Sequence, residues 1–167
     1  MLVPFEKYSL ITSISPEEVH DRLAASVDTS KSLFHASRGN KSYYGQVSQF
    51  SFKIQRKITY RNSFLPVVKG QVSSFAGQTR IDIQMRPHVA VSVFMLVWLT
   101  FTGIACIAVS LVLIQRLMNS DDTKFNPALL TPYAMFIFGY ALVTFGFKSE
   151  SKIAKKFLAD LLEGRKQ

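Results

Sequence analysis

The amino-acid sequence predicts an α+β fold: a small antiparallel sheet covered by N-terminal and C-terminal helices and interrupted by a two-helix transmembrane hairpin. Three observations lead there. Two stretches lack any charged side chain, 26 residues from Val89 to Ile114 and 20 from Ala128 to Phe147. The residues before them alternate apolar and polar in short runs, the period of half-buried strands. Pro16 to Val27 and Lys148 to Glu163 carry apolar side chains at helical spacing instead.

The opening run, residues 5–14, is rich in β-formers and reads as a strand. Ser15-Pro16-Glu17-Glu18 then supplies an N-cap, a proline at the first helical position and a capping-box glutamate. Val19, Leu23 and Val27 follow at i, i+4 and i+8, which gives a three-turn helix one apolar face. Residues 28–42 are polar and weakly patterned, with a short strand expected at Leu33-Phe34-His35. A meander comes next. Tyr44 to Ser48 is a short strand, and in a long second one Phe50, Phe52, Ile54, Ile58 and Tyr60 alternate with polar residues. Arg61-Asn62-Ser63 is turn chemistry before a strand from Pro66 to Phe75. Ala76-Gly77-Gln78 turns the chain into a last strand, where Ile81, Ile83 and Met85 alternate with Arg80, Asp82, Gln84 and Arg86. One face of this sheet would be apolar and the other basic.

As a helix, the first charge-free stretch would measure about 39 Å, beyond the ~30 Å hydrocarbon core, so tilt or a protruding first turn is expected. The second, about 30 Å long, just spans. Pro132 falls in its first turn, with Thr131 as the expected N-cap. Phe5-Glu6-Lys7-Tyr8 is no signal-peptide core, so no such leader is expected. The remainder of a 167-residue chain offers too little polar surface to bury two such runs in a soluble core. Small residues mark the expected contact between the helices: Gly103, Cys106 and Ser110 on the first, Gly139 and Gly146 on the second. Nine aromatic rings on the two spans, three on the first and six on the second, exceed what one hairpin can pack internally, so several should face lipid or another protein. The expected organisation is a cytoplasmic region 1–88, spans 89–114 and 128–147 joined by an external loop 115–127, and a C-terminal amphipathic helix 148–167 packing back on the first region. In that helix Ile153, Phe157, Leu158, Leu161 and Leu162 form the apolar stripe and Gly164 the C-cap. It is expected to continue from the second span.

Charge follows the same divisions. Residues 1–88 hold 12 Lys+Arg and 6 Asp+Glu, residues 89–147 hold 2 and 2, and residues 148–167 hold 6 and 3, which yields the net +9. Basic flanks beside bilayer-length runs point to anionic headgroups rather than nucleic acid, each nearby Lys or Arg contributing about 1 kcal/mol. The excess of Lys and Arg outside both spans places both termini in the cytoplasm. No ionisable residue interrupts either span, so a proton relay or ion pathway is not expected.

The motifs of covalent and metal chemistry are absent: no phosphate-binding glycine loop, dinucleotide fingerprint, nucleophile elbow or H-E-x-x-H. His20, His35 and His88 each stand alone, and Asp121-Asp122 reads as a solvated turn rather than a metal pair. Cys106 lies mid-span as a small apolar group. No catalytic residue, cofactor or metal is therefore expected. The candidate contact residues are basic: Lys53, Lys57, Arg61, Lys69, Arg80, Arg86, Lys148 and Lys152, for lipid headgroups or an acidic partner. Strand alternation would place Lys53, Lys57 and Arg61 on one face and Arg56 on the other.

The run from Phe52 to Gly70, together with Met85-Arg86-Pro87-His88 and the stretch from Phe145 to Lys152, resembles a group of uncharacterised small bacterial membrane proteins. These share the plan of a basic β-region, two membrane helices and a Lys/Leu helix. The resemblance implies a bacterial inner or internal membrane protein and carries no activity. The opening strand with Ser15-Pro16-Glu17-Glu18-Val19 also looks like the start of helix-grip lipid-binding folds. The expected function is a non-enzymatic, membrane-anchored interaction protein, an accessory subunit with a protein partner in the membrane. The alternative is a lipid-binding module with a helix-grip-like body, hollow between sheet and helices.

Overall fold

A computed structural model describes residues 4–28, 41–119 and 126–166. The expected strand at Leu33-Phe34-His35 and the Asp121-Asp122 turn lie outside them. The fold is mixed α+β, with a seven-stranded sheet in the order β2-β3-β4-β5-β6-β1-β7. The strands are β1 Glu6–Thr12, β2 Val27–Asp28, β3 Tyr43–Ser48, β4 Ser51–Arg56, β5 Val67–Phe75, β6 Gln78–Arg86 and β7 Arg165–Lys166. The helices are α1 Pro16–Ser26, α2 Val89–Met118 and α3 Thr131–Leu162. The chain forms two compact units: a body of Met1–His88 with Gly146–Gln167, and a hairpin of Val89–Phe145.

In the body, β3 through β6 form the antiparallel meander, and β1 returns to pair with β6. Helix α1 starts as its sequence dictates. The Ser15 hydroxyl accepts from the Glu18 amide at 3.2 Å, Pro16 takes the first position, and Val19 and Leu23 are buried. The turn between β5 and β6 puts Ala76 at φ 49° and Gly77 at φ 77°, the left-handed pair that suits the twist of a two-residue hairpin. Pairing sorts the side chains. Tyr43, Phe52, Ile54, Val68, Val72, Ile81, Ile83, Met85, Tyr8 and Leu10 form the inner face, where α1 and residues 146–162 of α3 cover them in one core cluster. Ile54, Ile81 and Ile83 are fully buried there, and Phe157 and Leu161 pack against the same cluster.

Four expectations for the body are corrected. The second meander strand ends at Arg56, not Arg61. Its partner β5 begins only at Val67, paired with Gln55, and Pro66 just before it has no N–H to extend the ladder. Phe147, expected at the end of the second span, is a fully buried residue of the body core. The buried stripe of α3 runs through Phe147, Ala154, Leu158 and Leu162, and Ile153 is 43% exposed because it lies to one side of that line. Helix α3 ends with Glu163, not Gly164, in the left-handed conformation at φ 48°, while the Gly164 amide donates to the Ala159 carbonyl at 3.2 Å. A side chain at 164 would be tightly placed for another reason. A Cβ there would stand 3.2 Å from that of Leu10, against which the chain turns to add β7 to the edge of β1.

Two buried threonines and one arginine fasten the layers. Thr12 donates to the Leu162 carbonyl at 2.7 Å and Thr79 to the Ile14 carbonyl at 2.6 Å. From α1, Arg22 reaches both the Leu161 carbonyl at 3.2 Å and the Glu163 carboxylate at 2.6 Å, holding the C-terminal end of α3.

In the hairpin, α2 runs past the charge-free stretch through Gln115 and Arg116 to Met118. The second helix is preceded by a 3-10 turn, Pro127–Leu130, and its start also differs from expectation. Thr131, expected as the N-cap, is itself helical, and Asn126 caps the preceding 3-10 turn, its side chain accepting from the Ala128 amide at 3.0 Å. Helix α3 then continues without a break into the residues that cover the sheet. Both helices are long and apolar enough to cross a membrane.

Candidate functional site

Cross-strand register builds the outer face of the sheet row by row, since directly paired residues share a face. Gln46 stands opposite Lys53, Lys53 opposite Lys69, Lys69 opposite Gln84, and Gln84 opposite Lys7. On one side of this row lie Tyr44, Gln55, Val67 and Arg86, and on the other Ser48, Ser51, Gln71, Asp82 and Ser9. A further row holds Ser73, Arg80, Ile11 and Arg165. Among the described residues, this face therefore carries Lys7, Lys53, Lys69, Arg80, Arg86 and Arg165 against two acids, Asp82 and, through its pairing with Tyr44, Asp28. Asp28 is bound by the Lys57 ammonium at 2.9 Å, and Asp82 is engaged by the Ser9 hydroxyl at 2.5 Å and by Arg80 at 3.1 Å. The Ser9 hydrogen bond first, and then Arg80, hold the Asp82 carboxyl below the usual range. Lys7, Lys53, Lys69 and Arg86 are exposed and make no ion pair among the described residues.

The other basic candidates are differently placed. Lys57 follows the end of β4, but its amide still donates to the Ser42 carbonyl at 2.8 Å, and its ammonium is bound at 2.9 Å to Asp28, the partner of Tyr44, so it lies at the β2 edge of this face with its charge already paired. Arg61 is exposed in the irregular segment after β4. Lys148 and Lys152 belong to α3, in the helix layer. Sequence reasoning missed Lys7 and Arg165 because only the pairing of β1 with β6 and β7 brings them to this face.

A second cluster unites two stretches quoted above for their resemblance. Arg56 points to the inner side, where its guanidinium lies 2.9 Å from Glu150, whose side chain is 4% exposed. Tyr60 also hydrogen-bonds Glu150, and Asn62 donates to the Gly146 carbonyl at 3.2 Å. The hydrogen bond to Glu150 raises the pKa of both Arg56 and Tyr60. Residues 56–64 thus grip the turn of α3 from Gly146 to Glu150. Glu150 was legible only as one position on the helical stripe that Phe147 and Ala154 also occupy.

Within the hairpin, a methyl at Gly139 would stand 2.9 Å from Trp98 Nε1, and one at Gly103 3.6 Å from Phe136. The Tyr133 hydroxyl is 2.6 Å from the Ser110 hydroxyl and donates to the Cys106 carbonyl at 3.0 Å. Gly103, Cys106, Ser110 and Gly139 therefore all lie where α2 meets α3. Gly146 does not: a methyl there would meet Phe64, 2.9 Å away in the body. Phe94, Trp98, Phe101, Thr102, Pro132 and Met135 line much of an apolar groove of about 530 Å³ on the hairpin. Among the described residues no three His, Cys, Asp or Glu side chains gather as metal ligands would. Compared with models of known protein families and with curated proteins, the chain matches none.

Proposed function

We propose that this chain is a non-enzymatic, membrane-anchored interaction protein, an accessory subunit of a larger complex in a bacterial inner or internal membrane. One observation carries the reading: only 6% of the apolar window of α2 is buried within the chain. A helix that is apolar all round and unburied requires lipid or protein around it. Phe101 at 73% and Phe145 at 75% exposure add aromatic surface with the same need. The basic flanks support an orientation with both termini and the sheet body in the cytoplasm. A body filled between sheet and helices by Phe147, Leu158, Ile54 and Ile83 supports a solid docking module over a hollow lipid carrier.

Alkaline extraction of membranes followed by native sizing in several mild detergents tests both parts. Retention in the membrane and migration well above the size of one chain are expected. Release by alkali would end the membrane reading, and a lone monomer in every detergent would end the subunit reading.

A further inference from the structure

We infer that the outer face of the sheet binds the phosphodiester headgroups of anionic phospholipids, with Lys7, Lys53, Lys69 and Arg86 as its contacts. This rests on the hairpin being membrane-spanning.

The charge pattern calls for an anion. Lys53 and Lys69 are direct cross-strand partners, an arrangement that costs stability unless an anion lies between the two ammonium groups. Neither acid of the face offers itself, because Asp82 is held by Ser9 and Arg80 and Asp28 by Lys57 at the far sheet edge. The neighbours in register, Gln46, Gln84 and Gln71, supply amide donors and no carboxylate to repel a phosphate.

Covalent connection brings headgroups within range. Only Pro87 and His88 separate Arg86 from the first residue of α2, so chain length alone holds Arg86 within about 11 Å of it. Gln84, in the row of Lys7, Lys53 and Lys69, is five residues from Val89, within about 18 Å. Flexible lysine side chains add several ångströms of reach towards the headgroup layer that flanks the hydrocarbon core.

The composition of the face favours lipid over an acidic protein. Protein interfaces are anchored by aromatic residues and are poor in lysine. Here the central row is lysine and glutamine; of the exposed aromatics, Tyr44 lies at the β3 end of the next row with its hydroxyl bonded to Gln55, and Phe75 sits at the far turn, 5.9 Å below the Arg80 guanidinium.

The test uses the full chain in nanodiscs of phosphatidylcholine alone or of an equal mixture with phosphatidylglycerol. A brief pulse of uncharged acetylating reagent, read by peptide mass spectrometry, reports each lysine. Acetylation at Lys7, Lys53 and Lys69 should be about five-fold slower in the mixed discs, the factor that ~1 kcal/mol per lysine implies, and high salt should restore it. The K53Q/K69Q variant should still enter discs but lose the preference for retaining phosphatidylglycerol after extraction. Equal rates in both discs, or an unchanged preference in the variant, would overturn the inference. So would protection by soluble glycerol phosphate in phosphatidylcholine discs, which would mark a free-phosphate site. Protection in native membranes but not in mixed discs would assign the face to an acidic protein. A chain that enters neither disc would overturn the membrane reading along with this one.

Discussion

Arg56 Nη1 lies 2.9 Å from Glu150 Oε2, an ion pair that joins the end of β4 to α3 across 94 residues of sequence. The two partners are unequal: the Arg56 side chain is 29% exposed and that of Glu150 only 4%. Removing the arginine strands a buried carboxylate, whereas removing the acid leaves a guanidinium that water still reaches. Arg56→Ala should therefore destabilise the body by about 3–5 kcal/mol. Glu150→Gln, which keeps a hydrogen-bond acceptor for Tyr60, should cost only about 1–2 kcal/mol. Denaturant unfolding of the detergent-solubilised chain measures both. Equal losses, or the reverse order, would show that burial does not govern the pair.

Tyr43 offers a contrasting case. Its ring stacks on Phe157 at 4.0 Å between centroids, but its hydroxyl is buried with no hydrogen-bond partner among the described residues. Burial pushes the phenol up to about 12. A folded value above the unfolded ~10 means the proton favours the native state, so stability is complete below pH ~10 and declines as pH rises towards 12. Tyr43→Phe keeps the stack and removes the orphan hydroxyl. It should gain about 1 kcal/mol at neutral pH and show a flatter alkaline limb. Thermal unfolding at neutral pH and above pH ~10 compares the two proteins; a destabilised variant would mean that the hydroxyl has a partner after all.

How far the sequence predicts this fold depends on which interactions are local. Ser15, Pro16 and Glu18 act within one turn, and Ala76-Gly77 within one hairpin, so cap and turn were legible. The charge-free runs were legible because membrane-length helices need only composition. The pairing of β1 with β6 joins Lys7 to Gln84 and depends on tertiary packing, so the basic face was read without Lys7. The end of β4 was misjudged for a similar reason. Alternation continues through Ile58 and Tyr60, but β5 has no residue left to pair beyond Gln55, and with it goes the logic that put Arg61 beside Lys53. Glu150 illustrates the hardest class, a charge whose burial depends on an arginine from a distant strand.

Asp82 links acid stability to the outer face. Its depressed carboxyl pKa means that its contribution is present above the unfolded value of about 4 and is lost as pH falls through the lower folded value. With a side chain 37% exposed, it should contribute less than about 1 kcal/mol. Asp82→Asn should therefore flatten the acid limb slightly. It also removes one of the two acids among the described residues of the basic face, so the variant should retain more phosphatidylglycerol than the parent. If Asp82→Asn leaves the acid limb unchanged, the Ser9 and Arg80 contacts do not hold that carboxylate in solution.

The orientation of the hairpin can be decided by two cysteines. Gln49 is exposed in the turn between β3 and β4, and Asn119 is exposed just past the end of α2. If α2 crosses the bilayer with the sheet body inside, these residues stand on opposite sides. Inverting the protein would send the body outward with its 12 Lys+Arg in residues 1–88 and a further 6 in residues 148–167, against the bias that retains basic flanks in the cytoplasm. In a Cys106→Ala background, Asn119→Cys should react with an impermeant maleimide in intact cells, and Gln49→Cys only in inside-out vesicles. Replacing Cys106 should leave the hairpin contact in place, because its carbonyl, not its thiol, accepts the Tyr133 hydrogen bond. Labelling of both cysteines from the same side would refute a spanning α2. Reversed labelling would retain the span and refute the cytoplasmic body, and with it the docking of Lys53 and Lys69 on the inner leaflet.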